Sequence, residues 1–432
     1  MLDIRIIREH PKAVQQNALN KGYEVNIDEL LRLDSSRREL QQETDRLREQ
    51  RNTIASQMKD GKPSEQQIAE GKQVKENLIE KESALKAADE AFTTLLKKVP
   101  NMALKDVPLG ASEDENVVAK KVGEPTAFDF EPKNHAELAE ARGWLDKERA
   151  AKVTGSRFAY LKGDMVKLQF ALIQFIMDKL SDQAFIDEVI AENNLSVSRK
   201  PFLPILPPFL LRTELYDAMD RLEPRDDRYK IEDEDLWLQG SAEHVLGSMH
   251  ADEVFDEKDM PVRYIGYATS FRREAGTYGK DMEGMFRMHQ FDKLEMESLT
   301  TSEAGREEHL FLIAVQEKIM QLLGLPYQIL MKCTADIGKP NARGVDVEVW
   351  LPGQNKYRET HTADYMTDYQ ARRLKTRVRR ENGAVELVHT NDATALPLSR
   401  GPIAILENYQ QADGTVRIPE VLRPYIGGKE VI

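Results

Sequence analysis

Between about Asn26 and Lys98 the apolar residues recur with the spacing of a helical seam. Leu33, Leu40, Leu47 and Ile54 fall seven residues apart, with mostly charged or polar residues between them. Beyond Asp60-Gly61-Lys62-Pro63 the pattern resumes as Val74, Leu78, Lys81, Leu85, Ala88, Phe92 and Leu95, an alternating three-and-four spacing interrupted only by Lys81. A seam of this kind predicts long helices packed edge to edge. Gly61 and Pro63 end the first helix, and Ser64 is placed to cap the second. Helices of similar length joined by a short turn pack antiparallel, so the spacing predicts a long helical hairpin. The hairpin alone says little about function, since most coiled coils are spacers or dimerisation devices. Its interleaved Arg37, Arg38, Glu39, Glu43, Arg46 and Arg48 describe a solvated face.

After Pro100 the pattern changes. Asn101, Pro108, Gly110, the acidic run Glu113-Asp114-Glu115 and Pro125 read as an irregular connector, and a compact remainder begins near Gly155. Helical periodicity appears at Asp164–Leu180, Glu307–Leu323 and Ile403–Gln411, and strand-like alternation at Val345–Trp350 and Leu374–Arg380. The expected organisation is an arm at 1–100, a connector at 101–153 and a larger domain at 154–432, in the α+β class. No phosphate loop of the GxxxxGK[ST] or GxGxxG type occurs, so a nucleotide would be held by other means.

Composition narrows the picture further. The 432 residues favour more than one domain, and 41% apolar residues suffice for a sizeable core. No apolar run approaches the roughly 20 residues of a membrane span, and the charged start Met1-Leu2-Asp3-Ile4-Arg5 lacks a signal peptide's pattern, which points to a cytoplasmic protein with no membrane partner. Cys333 is the only cysteine, which removes disulfides and Cys-cluster metal sites. The net charge of −13 leaves a nucleic-acid partner open, because binding depends on local basic patches.

The densest chemistry lies in Phe271-Arg272-Arg273-Glu274-Ala275-Gly276, then Tyr278-Gly279-Lys280-Asp281, then Phe286-Arg287-Met288-His289-Gln290-Phe291-Asp292-Lys293-Leu294-Glu295. This reads as strand, loop and strand, with Arg272, Glu274, Arg287, Phe291 and Glu295 spaced to share one sheet face. Guanidinium groups suit polyphosphate and an aromatic ring suits adenine, although an ordinary salt-bridged hairpin uses the same residue types. The wording F-R-x-E-A-G followed by R-x-H-Q-F-x-K-x-E resembles motif 2 of the class II aminoacyl-tRNA synthetases, in the form found in seryl-tRNA synthetases. The resemblance extends over almost the whole chain. Met1–Ile4 and the hairpin resemble that family's tRNA-binding arm, and Val99-Pro100-Asn101 its exit. Thr154-Gly155-Ser156-Arg157-Phe158 resembles the entry to its catalytic domain, Pro208 its motif 1 proline at a dimer interface, and Glu407 to Tyr425 its C-terminal stretch.

The resemblance implies a homodimeric ligase with a class II catalytic domain, a mostly antiparallel sheet flanked by helices. ATP and Mg²⁺ would be used to activate serine, which is then passed to tRNA(Ser) and, by extension, tRNA(Sec). Carried over residue by residue, Arg272 corresponds to the arginine on the α-phosphate and substrate carboxylate, and Arg400 to the motif 3 arginine; both are the expected catalytic groups. Glu274 corresponds to the group at the adenine amine, Phe291 to the ring on adenine, and Arg287 with Arg400 to the outer phosphate contacts. Glu359 and Thr362 correspond to the Mg²⁺ and ATP ligands. Ser241, Glu243 and Asp392 would surround the serine amine, and Glu295 with Thr394 its hydroxyl.

Three departures from the family wording stand out. Tyr216–Pro224 replaces the glycine-rich G-T-G-Q-L-P-K. His361-Thr362-Ala363-Asp364-Tyr365 replaces the serine-rich S-S-x-S-N. Asp392-Ala393-Thr394-Ala395-Leu396-Pro397-Leu398-Ser399-Arg400 replaces N-G-[ST]-G-x-x-x-G-R. Replaced glycines suggest a pocket narrowed or shifted by new side chains, and Asp392 adds charge beside the amine, while the plainer reading is compensated drift among neighbouring positions. Two alternatives follow, an adenylating paralogue with another amino acid or acceptor and a non-catalytic RNA-binding paralogue. Retention of Arg272, Glu295, Glu359, Thr394 and Arg400 argues against the latter. His289 and His361 lack a third clustered ligand for zinc. In the basic run Arg372–Arg380, Arg373, Lys375, Arg377 and Arg379 would share one side of a strand and face solvent.

Overall fold

The computed structural model describes residues 1–58, 64–274 and 284–432, in two compact units, Met1–Met102 and Ala103–Ile432. The turn residues Asp60–Pro63 and the motif residues Ala275–Asp281 lie outside the described residues.

The first unit is helical. Helix α1 (Ile4–Glu9) is capped by Asp3, and α2 (Pro11–Asn20) begins on proline, whose missing N–H costs a helix nothing at that position. Helix α3 (Ile27–Gln57) is capped by Asn26. Helix α4 (Glu65–Leu96) is capped by the expected Ser64, which forms a reciprocal capping box with Gln67. The two long helices run antiparallel, as their cross-links show: Arg37 pairs with Asp89, Lys81 with Glu43 at 3.0 Å, and Arg48 with Glu82 at 2.9 Å. Lys81, the interruption in the seam, is thus one end of an interhelical ion pair. Leu47, Ile54, Val74 and Leu78 bury together along the hairpin, while Leu30, Phe92 and Leu96 pack with Ile7 and Val14 of the short helices.

The second unit is built on an eight-stranded sheet: β1 (Val117–Val122), β2 (Leu203–Ile205), β3 (Val262–Phe271), β4 (Gln290–Thr300), β5 (Tyr327–Met331), β6 (Arg343–Leu351), β7 (Lys356–Thr367) and β8 (His389–Pro397). Their spatial order is β1-β5-β6-β7-β8-β4-β3-β2, and every pairing is antiparallel except the short parallel contact of β2 with β3. One face carries the main core. There Leu294, Met296, Val345, Val347, Ala393 and Ala395 pack against helices α5 (Asp164–Ser181), α7 (Gly305–Leu322) and α8 (Arg400–Tyr409). On the opposite face the short helix α6 (Ala242–Ser248) lies so close to β3 that a Cβ at Gly266 would meet Leu246 at 2.7 Å. This is the α+β architecture expected, with an almost wholly antiparallel sheet.

The reading of Leu374–Arg380 as one strand is corrected. A helix, Tyr369–Leu374, ends at Lys375 in the left-handed conformation (φ 58°), and the strand covers only Arg377–Arg379. Arg373 therefore does not share a solvated face with Arg377 and Arg379. It is buried between Asp217 at 3.0 Å and Asp220 at 2.8 Å.

Candidate active site

The alternation of side chains along β4 and β8 builds the site. Even-numbered Leu294 and Met296 turn to the core, so Glu295 and Glu297 turn to the other face. Register then sets their neighbours: Glu295 opposite Thr394 and Gly266, Glu297 opposite Asp392, and Asp392 opposite Asp364 on β7. Glu295, Thr394, Asp392 and Asp364 line a cavity of about 220 Å³, with Glu297 enclosed outside it. Every residue expected at the site lines it except Ser241, which sits behind Glu243 and donates a hydrogen bond to its carboxylate at 3.2 Å. Only Phe291 and Glu295 of the motif 2 group lie on a strand. Arg272, Glu274 and Arg287 reach the cavity from the connection between β3 and β4, so a shared sheet face is not what unites them.

One end of the cavity is cationic and aromatic. Arg272 donates through Nε to the Gly240 carbonyl at 2.8 Å, and its guanidinium lies 5.3 Å from the Phe291 ring centroid. Arg287 donates to Glu274 at 3.0 Å. Glu274 has φ 50°, a strained conformation for a residue with a Cβ, and Arg157 holds its carbonyl at 2.7 Å. Arg400 pairs with the Glu359 carboxylate at 3.0 Å, and both Arg400 and Arg358 stack on Phe286, at 4.6 and 4.2 Å. The Thr362 hydroxyl lines the same space and donates to Asp346 at 2.8 Å.

The other end is acidic and buried. Ligand-type oxygens of Glu243, Glu295 and Asp392 all lie within 4.8 Å of one another. Lys293 reaches Glu295 at 2.5 Å and donates to the Ser241 hydroxyl at 3.2 Å. Burial pushes the Glu295 carboxyl up to about 7 despite Lys293. Burial acts on Glu243 in the same sense, but Arg221, 2.9 Å away, holds that carboxyl below the usual range. The same guanidinium stands 3.6 Å from Asp392 and 3.8 Å from Asp364.

The three departures from the family wording therefore converge. Arg221 comes from the first, Asp364 from the second and Asp392 from the third, and together they form one ion cluster. Asp220, in the segment replacing the glycine-rich stretch, takes φ 59° and is pinned by Lys339 at 2.7 Å and Arg373 at 2.8 Å. The expectation that replaced motif 3 glycines narrow the pocket is corrected for two of the three. Ala393 and Ala395 point their methyls into the core, and only Ser399 lines the cavity. His289 bonds the Arg272 carbonyl, and His361 is enclosed beside Thr360 and the Ala395 carbonyl.

Comparison with known proteins gives the family. Residues 1–103 match the family model of the seryl-tRNA synthetase N-terminal domain, and residues 228–409 match that of the tRNA synthetase class II core domain (G, H, P, S and T). The serine–tRNA ligase of Dictyoglomus turgidum is 39% identical over 439 residues, covering 100% of this chain and 99% of that protein. The chain belongs to the seryl-tRNA synthetase family. Its reaction is the ATP-dependent charging of tRNA with serine. The seryl-tRNA synthetase of Pyrococcus horikoshii, solved in complex with ATP, superposes with a TM-score of 0.89 at 36% identity, covering 100% and 99% of the two chains. The cytoplasmic enzyme of Naegleria fowleri, solved with AMP, gives 0.85 at 28% identity, covering 100% and 98%.

For a seryl-tRNA synthetase, the residues that sequence reasoning missed are instructive. Lys293 stands inside the motif 2 wording, which by itself gives it no role. Arg221 and Asp364 were inside segments marked only as divergent. Their signal was charge appearing in several divergent segments at once, which only the sheet register joins into a cluster.

Proposed function

We propose that the residues gathered here divide the reaction between the two ends of the cavity. Arg272, Arg287 and Arg400 hold the phosphates of ATP, Phe291 takes the adenine ring, and Glu274 its amine. Glu243, Asp392 and Ser241 hold the serine ammonium, while Glu295 and Thr394 hydrogen-bond its hydroxyl. The serine carboxylate, already ionised, attacks the α-phosphorus in line and pyrophosphate leaves. A ribose hydroxyl at the tRNA 3′ end then attacks the acyl carbon of the seryl-adenylate, losing its proton as the acyl–phosphate bond breaks and AMP leaves. The first step needs no protein base, so positioning and cationic stabilisation carry it. Selection follows from hydrogen bonding, because alanine offers Glu295 and Thr394 no hydroxyl to bond.

Glu359 and Thr362 offer hard oxygen donors beside Arg400, which suits Mg²⁺. The ion, when bound, supplies positive charge to the phosphates. The cytoplasm and a homodimer complete the reading. The dimer face is the exposed apolar strip Leu203, Leu206, Phe209 and Leu210 around Pro208, beside the edge strand β2. Residues 1–100 serve as the tRNA-binding arm, and the catalytic domain takes in the segment expected to be a connector, since β1 (Val117–Val122) is a strand of the main sheet and the compact unit begins at Ala103.

The observation that carries this assignment is the pairing of Glu295 and Thr394 on adjacent strands beside Arg272 in one cavity. ATP–pyrophosphate exchange tests it. Arg272→Ala abolishes serine-dependent exchange while the circular dichroism spectrum stays unchanged; exchange at the parental rate would overturn the assignment. Exchange with another amino acid in place of serine would favour an altered pocket.

A further inference from the structure

Glu297 lies one pleat beyond Glu295 on the same face of β4, directly opposite Asp392 on β8. Residues so paired have Cβ atoms about 4.5–5.5 Å apart. Glu297 is fully buried, and among the described residues no hydrogen-bond donor reaches either of its carboxyl oxygens. Asp392 Oδ2 also accepts no hydrogen bond, and Arg221 approaches it only to 3.6 Å. Helix α6 presses on the pair from above, since a Cβ at Gly247 would lie 3.3 Å from Glu297 Oε1.

Two ionised carboxylates facing each other in such a place repel strongly, and neither could satisfy its oxygens. A single proton resolves both problems, because a carboxylic acid donates where a carboxylate accepts. The surroundings decide which residue keeps it. Arg221, a cation, stands beside Asp392, while Glu243 from α6, Asp364 from β7 and Glu295 from β4 add negative charge around the pair. Tyr264 faces Glu297 from β3, but its hydroxyl is engaged with His250 at 2.8 Å. Glu297 is the more enclosed of the two, and among the described residues no cation forms an ion pair with it, Arg221 acting on it only from a distance.

We propose that Glu297 works as a neutral carboxylic acid, donates a hydrogen bond to Asp392, and so fixes Asp392 as the ionised group that receives the serine ammonium. Burial, and then the Asp392 charge, push the Glu297 carboxyl well above the usual range, as this role requires. Burial and Glu243 push Asp392 upward too; a pair of this kind holds one proton, and an arriving ammonium favours the Asp392 anion. Glu297 is thus a positioning residue acting through Asp392. The inference rests on the serine site proposed above.

Infrared difference spectroscopy of the full-length protein at neutral pH reads the proton directly. The carbonyl band of a buried carboxylic acid is present in the parent and lost in Glu297→Gln. The same band shifts in Asp392→Asn, where the acid donates to an amide. Kinetics give a second reading. Glu297→Met, which removes the donor, raises the serine KM about tenfold, the scale of one hydrogen bond to a charged group, and leaves the ATP KM and kcat in place. Glu297→Gln, a neutral donor of the same shape, rescues the serine KM. Parent and Glu297→Gln spectra that coincide, or a serine KM raised equally by Gln and Met, would overturn the proposal. Neither spectrum requires serine to be the substrate, so a failure of the serine assignment shows separately in the exchange assay.

Discussion

Lys293 and Glu295, two positions apart on one strand, close an ion pair at 2.5 Å on the wall of the cavity. Burial drives the Glu295 carboxyl up to about 7, and Lys293 restrains it from going higher. If the ionised form accepts the serine hydroxyl, the serine KM rises as pH falls below about 7. Lys293→Met removes the restraint, so the rise begins at higher pH. Pyrophosphate-exchange kinetics across pH, with ATP saturating, check both statements.

Arg221 is the counter-ion of three buried acids. Removing one partner of such a group typically costs about 3–5 kcal/mol. Arg221→Gln should therefore destabilise the protein by about 3 kcal/mol, measured by chemical denaturation. Combining it with Glu243→Gln, Asp364→Ser and Asp392→Asn should recover most of that loss, because all three acids that needed the cation are gone. Additive losses would show that the cluster is not one unit.

Acid should weaken the fold well above the carboxylate range. Burial holds His309 and His361 down to about 3, while in the unfolded chain each takes a proton near pH 6.5. The unfolded state thus binds more protons between those limits. Stability is full above about pH 6.5 and falls as pH drops toward 3, by up to about 1.4 kcal/mol per pH unit for each histidine. Thermal melts from pH 8 to 4 measure the slope, and His361→Gln removes its share.

The arm offers a test of opposite sign. Lys81 occupies a seam position, and its pair with Glu43 is partly exposed, a kind of contact worth about 0–1 kcal/mol. Lys81→Leu restores the apolar spacing and should raise arm stability by about 1 kcal/mol. Helix melting followed by circular dichroism reads the change.

Much of this was legible in the sequence, for definite reasons. The hairpin declared itself because its seam repeats over many turns, and Ser64 because a cap sits at a fixed offset from the helix it starts. Arg272, Glu295 and Arg400 were found because they stand in contiguous wording. Glu297 and Arg221 were not, since their meaning depends on which strands are neighbours. β4 pairs with β8 across almost a hundred intervening residues, and local spacing carries no trace of that register. Arg373 was misplaced for a local reason: a left-handed Lys375 stops a helix where alternation suggested a strand.

The convergence of Arg221, Asp364 and Asp392 has a consequence for ancestry. Losing Arg221 while the acids remain strands negative charge in a buried site, so routes between this pocket and the family wording that begin there pass through weakened intermediates. The trio is expected to travel through descent as a block, present together or absent together, and its joint presence would mark a lineage more sharply than overall identity does.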